Sequence, residues 1–96
     1  MLFSGALCSL DGKRCYDCTI RDMTELGAHV VVPNSQSLDA KVFLLHLRDG
    51  IAYEAFVVSK LRDSVSLKFG AATPLARNED SKVRWLRDLW RTRRGY

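Results

Sequence analysis

The sequence has no long apolar run, and this absence excludes one broad class of protein. A helix that crosses a membrane needs about 18 or more consecutive apolar residues, and no stretch of the 96 residues approaches that length. The segment from Met1 to Ala6 carries no basic residue, so no secretory signal peptide is expected. With 47% hydrophobic and 27% charged residues, the chain is predicted to be a single soluble domain in the cytoplasm.

Cysteine and histidine are scarce, which disfavours a metal or redox site. Cys15 and Cys18 form a Cys-x-x-Cys motif, but they lie in a strand-like run, where an offset of three directs them to opposite faces. His29 and His46 lie in apolar alternating runs. We interpret the three cysteines as free thiols, and all five residues as buried or half-buried structural residues. The chain also has no grouping of histidine, carboxylate and nucleophile, so neither a cofactor nor enzymatic activity is predicted.

Positive charge is concentrated at the C-terminal end of the chain. The net charge is +4, but residues 82–96 carry six basic residues and one acidic residue, whereas residues 1–81 carry nine basic and ten acidic residues. The body of the protein is therefore slightly negative, which argues against a broad nucleic-acid surface. A small barrel that binds single-stranded nucleic acid is the weakest hypothesis, because no strand interleaves aromatic and basic residues. No DNA or RNA partner is expected.

Alternating apolar residues predict six β-strands. Asp11-Gly12 and Asp49-Gly50 are typical two-residue hairpin turns. The fourth strand is apolar on both faces, which predicts that both faces are covered. Six short strands at this spacing predict an all-β fold, a six-stranded antiparallel barrel within residues 1–70. The predicted strands are residues 3–9, 14–21, 27–32, 41–48, 51–61 and 65–69, and Gly70 ends the last of them.

The C-terminal part of the chain has the pattern of an amphipathic helix. Residues 71–77 are predicted as a linker, and residues 78–96 as a helix with a basic tail. The start of the helix is indicated by an N-cap and two acidic residues, Asn78, Glu79 and Asp80. Apolar residues recur at helical spacing, at Val83, Leu86, Leu89 and Trp90, with Trp85 at the edge of this stripe.

Two interpretations of this helix are open. In the first, it packs on the barrel through Leu86 and Trp90. In the second, it contacts a protein partner or a lipid surface, using two tryptophans and a basic rim. The residues that would make this contact are Trp85, Trp90 and Arg91.

A short polar loop closed by glycine lies between the second and third predicted strands. Its residues follow the pattern Asp22-x-Thr24-x-x-Gly27. A carboxylate can accept two N–H donors at once, such as those of a guanine edge, and a hydroxyl both donates and accepts. Glycine permits a positive φ or the close approach of another backbone. The same residue types also occur in ordinary turns between strands.

The stretch from Cys18 to Val30 resembles the signature loop of PilZ domains, a family of bacterial cyclic di-GMP receptors. The resemblance extends through the strand pattern to about Gly70, with Thr24 where serine is usual. It implies a β-barrel with a C-terminal helix, and a signalling module that binds cyclic di-GMP through Asp22, Thr24 and Gly27. Arg21 stands beside the motif and is a candidate phosphate ligand.

One element of that family's pattern is missing. PilZ domains carry Arg-x-x-x-Arg just before the first strand, whereas here the first arginine is Arg14. Asp22 alone would repel the two phosphates of the ligand unless a cation lies close. Two hypotheses follow. Either the chain binds cyclic di-GMP at an incomplete site, using Arg14, Arg21 or the tail arginines, or it is a degenerate adaptor that binds protein partners and no nucleotide.

Overall fold

Six antiparallel strands close into a barrel, and a helix follows them. The computed structural model describes residues 2–33, 38–76 and 84–93. The strand order around the barrel is β1-β2-β3-β6-β5-β4, and β4 also pairs with β1. The predicted all-β barrel with a C-terminal helix is therefore confirmed. The elements are β1 (Phe3–Ser9), β2 (Cys15–Met23), β3 (Gly27–Val31), β4 (Lys41–His46), β5 (Ile51–Leu61), β6 (Ser64–Pro74) and α1 (Arg84–Arg93).

The predictions were least accurate where elements end. β1 and β5 have the predicted bounds, but β6 continues past Gly70 because Thr73 and Pro74 pair with the start of β5. The prediction of a linker from residue 71 was therefore wrong for residues 71–74. The predicted helix start, from Asn78 to Val83, lies outside the described residues.

The barrel core is built from the inward-facing residues of the strands. In β2, Cys18 and Ile20 face inward, and the half-buried Tyr16 packs against the same cluster. Aliphatic side chains fill the interior, since alternate residues of each strand point to the same face. The barrel core consists of Leu7, Cys18, Ile20, Ala28, Val30, Val32, Leu38, Val42, Leu44, Ala55, Val65 and Leu67.

A second apolar cluster lies between the outside of the barrel and α1. β4 contributes to both, because Val42 and Leu44 point into the barrel core whereas Leu45 points outward. This explains why the strand is apolar on both faces. We call the second group the helix cluster; it consists of Ala6, Cys8, Leu45, Ala52, Leu75, Leu86 and Trp90.

The helix docks through the two residues predicted for that role. Leu86 is fully buried, Trp90 is 6% exposed, and the indole Nε1 of Trp90 donates a hydrogen bond of 2.7 Å to the carbonyl of Leu47. Within the described ranges, no helix is long and apolar enough to cross a lipid bilayer.

Both hairpin turns that face the helix contain a glycine with positive φ. Gly12 has φ +76° and Gly50 has φ +65°, a region that is costly for residues with a Cβ. A Cβ on Gly12 would lie 3.2 Å from the ring of Trp85, and one on Gly50 would lie 2.5 Å from the ring of Trp90. Each turn is longer than the predicted two residues, because four or five residues separate the paired strands.

Candidate functional site

A β-bulge in β2 determines where the carboxylate of the motif points. The pairing of β2 with β3 shifts between Ile20 and Asp22, so that Arg21 is an extra residue. Asp22 therefore belongs to β2, and the prediction that it lies in the loop after this strand was wrong. Ile20 is buried, while Arg21 and Asp22 are both exposed. Without the bulge, strict alternation would direct Asp22 inward together with Ile20.

The hydroxyl of Thr24 stabilises the turn that follows. The backbone N–H of Thr24 donates to the carbonyl of Gly27 at 2.9 Å, and the N–H of Leu26 donates to Thr24 Oγ1 at 3.2 Å. A hydroxyl has one hydrogen and two lone pairs, so accepting one bond leaves it capacity for a ligand. Thr24 thus has a structural role in the turn, and its hydroxyl can also form a hydrogen bond to a ligand.

Gly27 allows β3 to approach β6 closely. A Cβ built on Gly27 would lie 2.0 Å from the carbonyl oxygen of Leu67. Its φ is not positive, unlike those of Gly12 and Gly50. The sequence predicted either a positive φ or the close approach of another backbone at Gly27, and the structure shows the close approach. The neighbouring carbonyl of Leu26 accepts a hydrogen bond of 2.8 Å from Phe69 N–H, which fixes the turn against β6.

The three motif residues line one open pocket of about 240 Å³ together with residues of β6. We call it the motif pocket. β6 contributes Ser66 and Lys68, which pair with His29 and Gly27 of β3. The other lining residues are Met23, Leu26, Ala28 and Leu67. Lys68 thus brings a positive charge to the pocket that contains the Asp22 carboxylate.

Arg21 lies on the other side of Asp22. A neighbouring pocket of similar volume is lined by Arg21, Asp22, His29, Val30 and Ser64. Asp22 and His29 therefore border both pockets. The prediction that His29 is buried or half-buried was wrong, because β3 directs Ala28 and Val30 inward and His29 outward.

The surface beyond the motif pocket carries an aromatic ring between two lysines. Phe56 on β5 lies directly opposite Lys68 on β6 and Lys41 on β4. Phe56 is 45% exposed, and Lys41 Nζ lies 5.4 Å from the centroid of its ring and 3.5 Å from Glu54 Oε1. An aromatic face flanked by cations can stack on a base while the ammonium groups attract phosphate.

The size of the motif pocket limits what it can enclose. Small-molecule sites usually have volumes of roughly 300–1,000 Å³, so a pocket of about 240 Å³ can take one base or one phosphate. A dinucleotide would have to extend over the outer surface of the barrel.

The remaining predicted residues lie away from this pocket. Arg14 lines a different, small cavity beside Asp39. On α1, Trp90 is buried and Trp85 half-buried against the barrel, whereas Arg91 is exposed. The two tryptophans therefore contact the chain's own barrel, which favours the first interpretation of the helix.

Comparison of the chain with models of protein families, with curated proteins and with solved structures found no match. Among the described residues, no three histidine, cysteine, aspartate or glutamate side chains are grouped so that they could hold a metal ion.

Proposed function

We propose that the chain is a cytoplasmic PilZ-like signalling module that binds cyclic di-GMP at an incomplete nucleotide site, the motif pocket. One observation carries the proposal: Asp22, Thr24 and Gly27 line the same pocket as Lys68. The sequence lacks the Arg-x-x-x-Arg element of PilZ domains. Lys68, on a strand that is distant in sequence, supplies a cation to the pocket that contains the Asp22 carboxylate.

Each side chain has a role that fits the chemistry of the ligand. The exposed carboxylate of Asp22 accepts the two N–H donors of a guanine edge. Lys68 and the hydroxyl of Thr24 bind phosphate, Arg21 approaches from the neighbouring pocket, and Gly27 keeps the loop close to β6. Phe56 offers its exposed face to the second base.

Calorimetric titration of the full chain with cyclic di-GMP tests the proposal. We expect a micromolar dissociation constant for the unchanged chain. Asp22→Ala and Lys68→Met should each weaken binding about 10-fold or more, because a hydrogen bond to a charged group contributes about 1.5–3 kcal/mol. Asp39→Ala and Lys13→Met are matched controls, since each removes the same charge from an exposed residue outside the motif pocket.

Two outcomes would contradict this function. One is the absence of heat at high micromolar cyclic di-GMP, with the unchanged chain shown to be folded. The other is an equal loss of affinity in the pocket variants and the matched controls, which would indicate nonspecific attraction by charge.

The second candidate function is an adaptor that binds a protein partner and no nucleotide. Exposed apolar side chains along β5 favour it, since Phe56 is 45%, Val58 65% and Leu61 75% exposed. If the titration gives no heat, Val58→Asp should abolish co-purification of a partner that the unchanged chain retains. Lys60→Asp, on the same strand, is the control that changes charge without removing apolar area.

A further inference from the structure

Cys8 and Cys15 lie directly opposite each other on β1 and β2. The next pair towards the turn is joined by a backbone hydrogen bond of 2.8 Å from Ser9 N–H to the carbonyl of Arg14. Because hydrogen-bonded and non-hydrogen-bonded pairs alternate in an antiparallel ladder, Cys8 and Cys15 form a non-hydrogen-bonded pair. In such pairs the side chains are closest to each other.

We propose that Cys8 and Cys15 form a reversible intramolecular disulfide, a modification site between two strands of the barrel. Cα atoms of a non-hydrogen-bonded pair are about 4.5 Å apart, within the range of about 4.4–6.8 Å that disulfides span. The bond therefore requires the two sulfur atoms to approach each other without moving either strand out of register.

The different exposure of the two thiols gives the reaction an order. Cys15 is half-buried and Cys8 is fully buried, and burial together with the hydrogen bond to Cys15 raises the pKa of Cys8. Cys15, as the accessible thiol, loses its proton and attacks a sulfur of a disulfide oxidant such as oxidised glutathione, which releases one glutathione. Cys8 then loses its proton and attacks Cys15 Sγ, so the second glutathione leaves and both protein thiols are oxidised.

Cys18 is excluded from this bond by the side of the sheet on which it lies. It points into the barrel core, whereas Cys8 and Cys15 contact the helix cluster on the outside. The Cys-x-x-Cys motif of Cys15 and Cys18 is therefore not the reactive pair.

The test exposes the full chain to a series of ratios of oxidised to reduced glutathione and measures its intact mass without reductant. We expect a monomer that has lost two hydrogen atoms. Trypsin cleaves after Lys13 and Arg14, so the bond should link the peptide of residues 1–13 to the peptide of residues 15–21. Addition of a thiol reductant should restore the original mass.

Single substitutions identify the partner of Cys15. Cys18→Ser should keep the loss of two hydrogen atoms, while Cys15→Ser should abolish it. The proposal fails if Cys8→Ser still forms an internal disulfide, which would join Cys15 to Cys18. It also fails if the unchanged chain forms only linked dimers, or stays reduced at the most oxidising ratio. Fragmentation of the linked peptides between Cys15 and Cys18 identifies the partner of Cys8 in the unchanged chain, even where a variant does not fold.

Discussion

The two sides of the barrel differ in what covers them. On the helix side, the outer residues of β1, β4 and β5 are buried by α1, which adds Leu86 and Trp90 to the helix cluster. On the motif side, β3 and β6 keep polar residues outward, and the motif pocket opens to solvent. The helix thus covers the apolar outer residues of β1, β4 and the start of β5, and leaves uncovered the surface that carries the motif.

The largest expected effect comes from breaking the barrel core that both sides share. Leu44→Ala should lower the free energy of unfolding by about 2–5 kcal/mol, because Leu44 is fully buried inside the closed sheet. Leu86→Ala should lower the free energy of unfolding, measured by chemical denaturation, by less than Leu44→Ala does, since α1 can detach while the barrel persists. An equal loss for both variants would contradict this separation of the helix side from the barrel core.

The next prediction concerns the close packing on the motif side. Gly27→Ala should destabilise the fold by about 1–3 kcal/mol or more, because its Cβ would overlap the Leu67 carbonyl and force β3 away from β6. Gly70→Ala is the matched control, because its Cβ would lie 3.6 Å from the nearest atom. The free energy of unfolding measured by chemical denaturation should change by less than about 1 kcal/mol. A neutral Gly27→Ala would show that the two strands can separate freely.

A smaller effect is expected from the polar contact that orients α1. Trp90→Phe removes the hydrogen bond to the Leu47 carbonyl and should cost about 1–3 kcal/mol in thermal or chemical unfolding. Trp85→Phe, on a half-buried ring of the same helix, should cost less. If Trp85→Phe were the more destabilising change, the anchor of the helix would be wrongly assigned.

The smallest effect concerns the pH dependence of the turn beside α1. The Ser9 hydroxyl donates to Asp11 Oδ1 at 2.6 Å and the Lys13 N–H donates at 2.9 Å, and these bonds hold the pKa of Asp11 below its ordinary value of 3.8. A lowered folded-state pKa stabilises the fold fully above the ordinary value, and this stabilisation is lost as the pH falls through the folded-state pKa. Asp11→Asn should therefore flatten the acid limb of the melting temperature against pH. An unchanged acid limb would mean that other carboxylates cause the loss of stability at low pH.

The sequence was sufficient to predict the barrel and the docking face of the helix. Alternation in the strands determines which residues point inward, and a strand that is apolar on both faces, as at Val42 to Leu45, predicts a covering element. Helical spacing identified Leu86 and Trp90 in the same way. These are periodic signals that each element carries within itself.

The arrangement of the candidate site could not be predicted in the same way, because it depends on how strands pair with one another. The sequence of a single strand does not encode this pairing. The bulge at Arg21 turns Asp22 outward, yet nothing in the residue types announces an extra residue in β2. Lys68 reaches the motif pocket only because β6 pairs with β3, and the opposition of Cys8 to Cys15 follows from the register of β1 on β2. Ser66 and Lys68 alternate with Val65 and Leu67 in the sequence, but their neighbours on other strands could not be predicted.

The tryptophans of α1 rest on glycines that belong to two separate hairpins, Trp85 on Gly12 and Trp90 on Gly50. Both tryptophans can make these contacts only when both turns have already adopted their left-handed geometry. We therefore expect α1 to acquire its native contacts late in folding, after the barrel is complete. Indole fluorescence would then report the maturation of the whole sheet, although the chromophores themselves lie outside it.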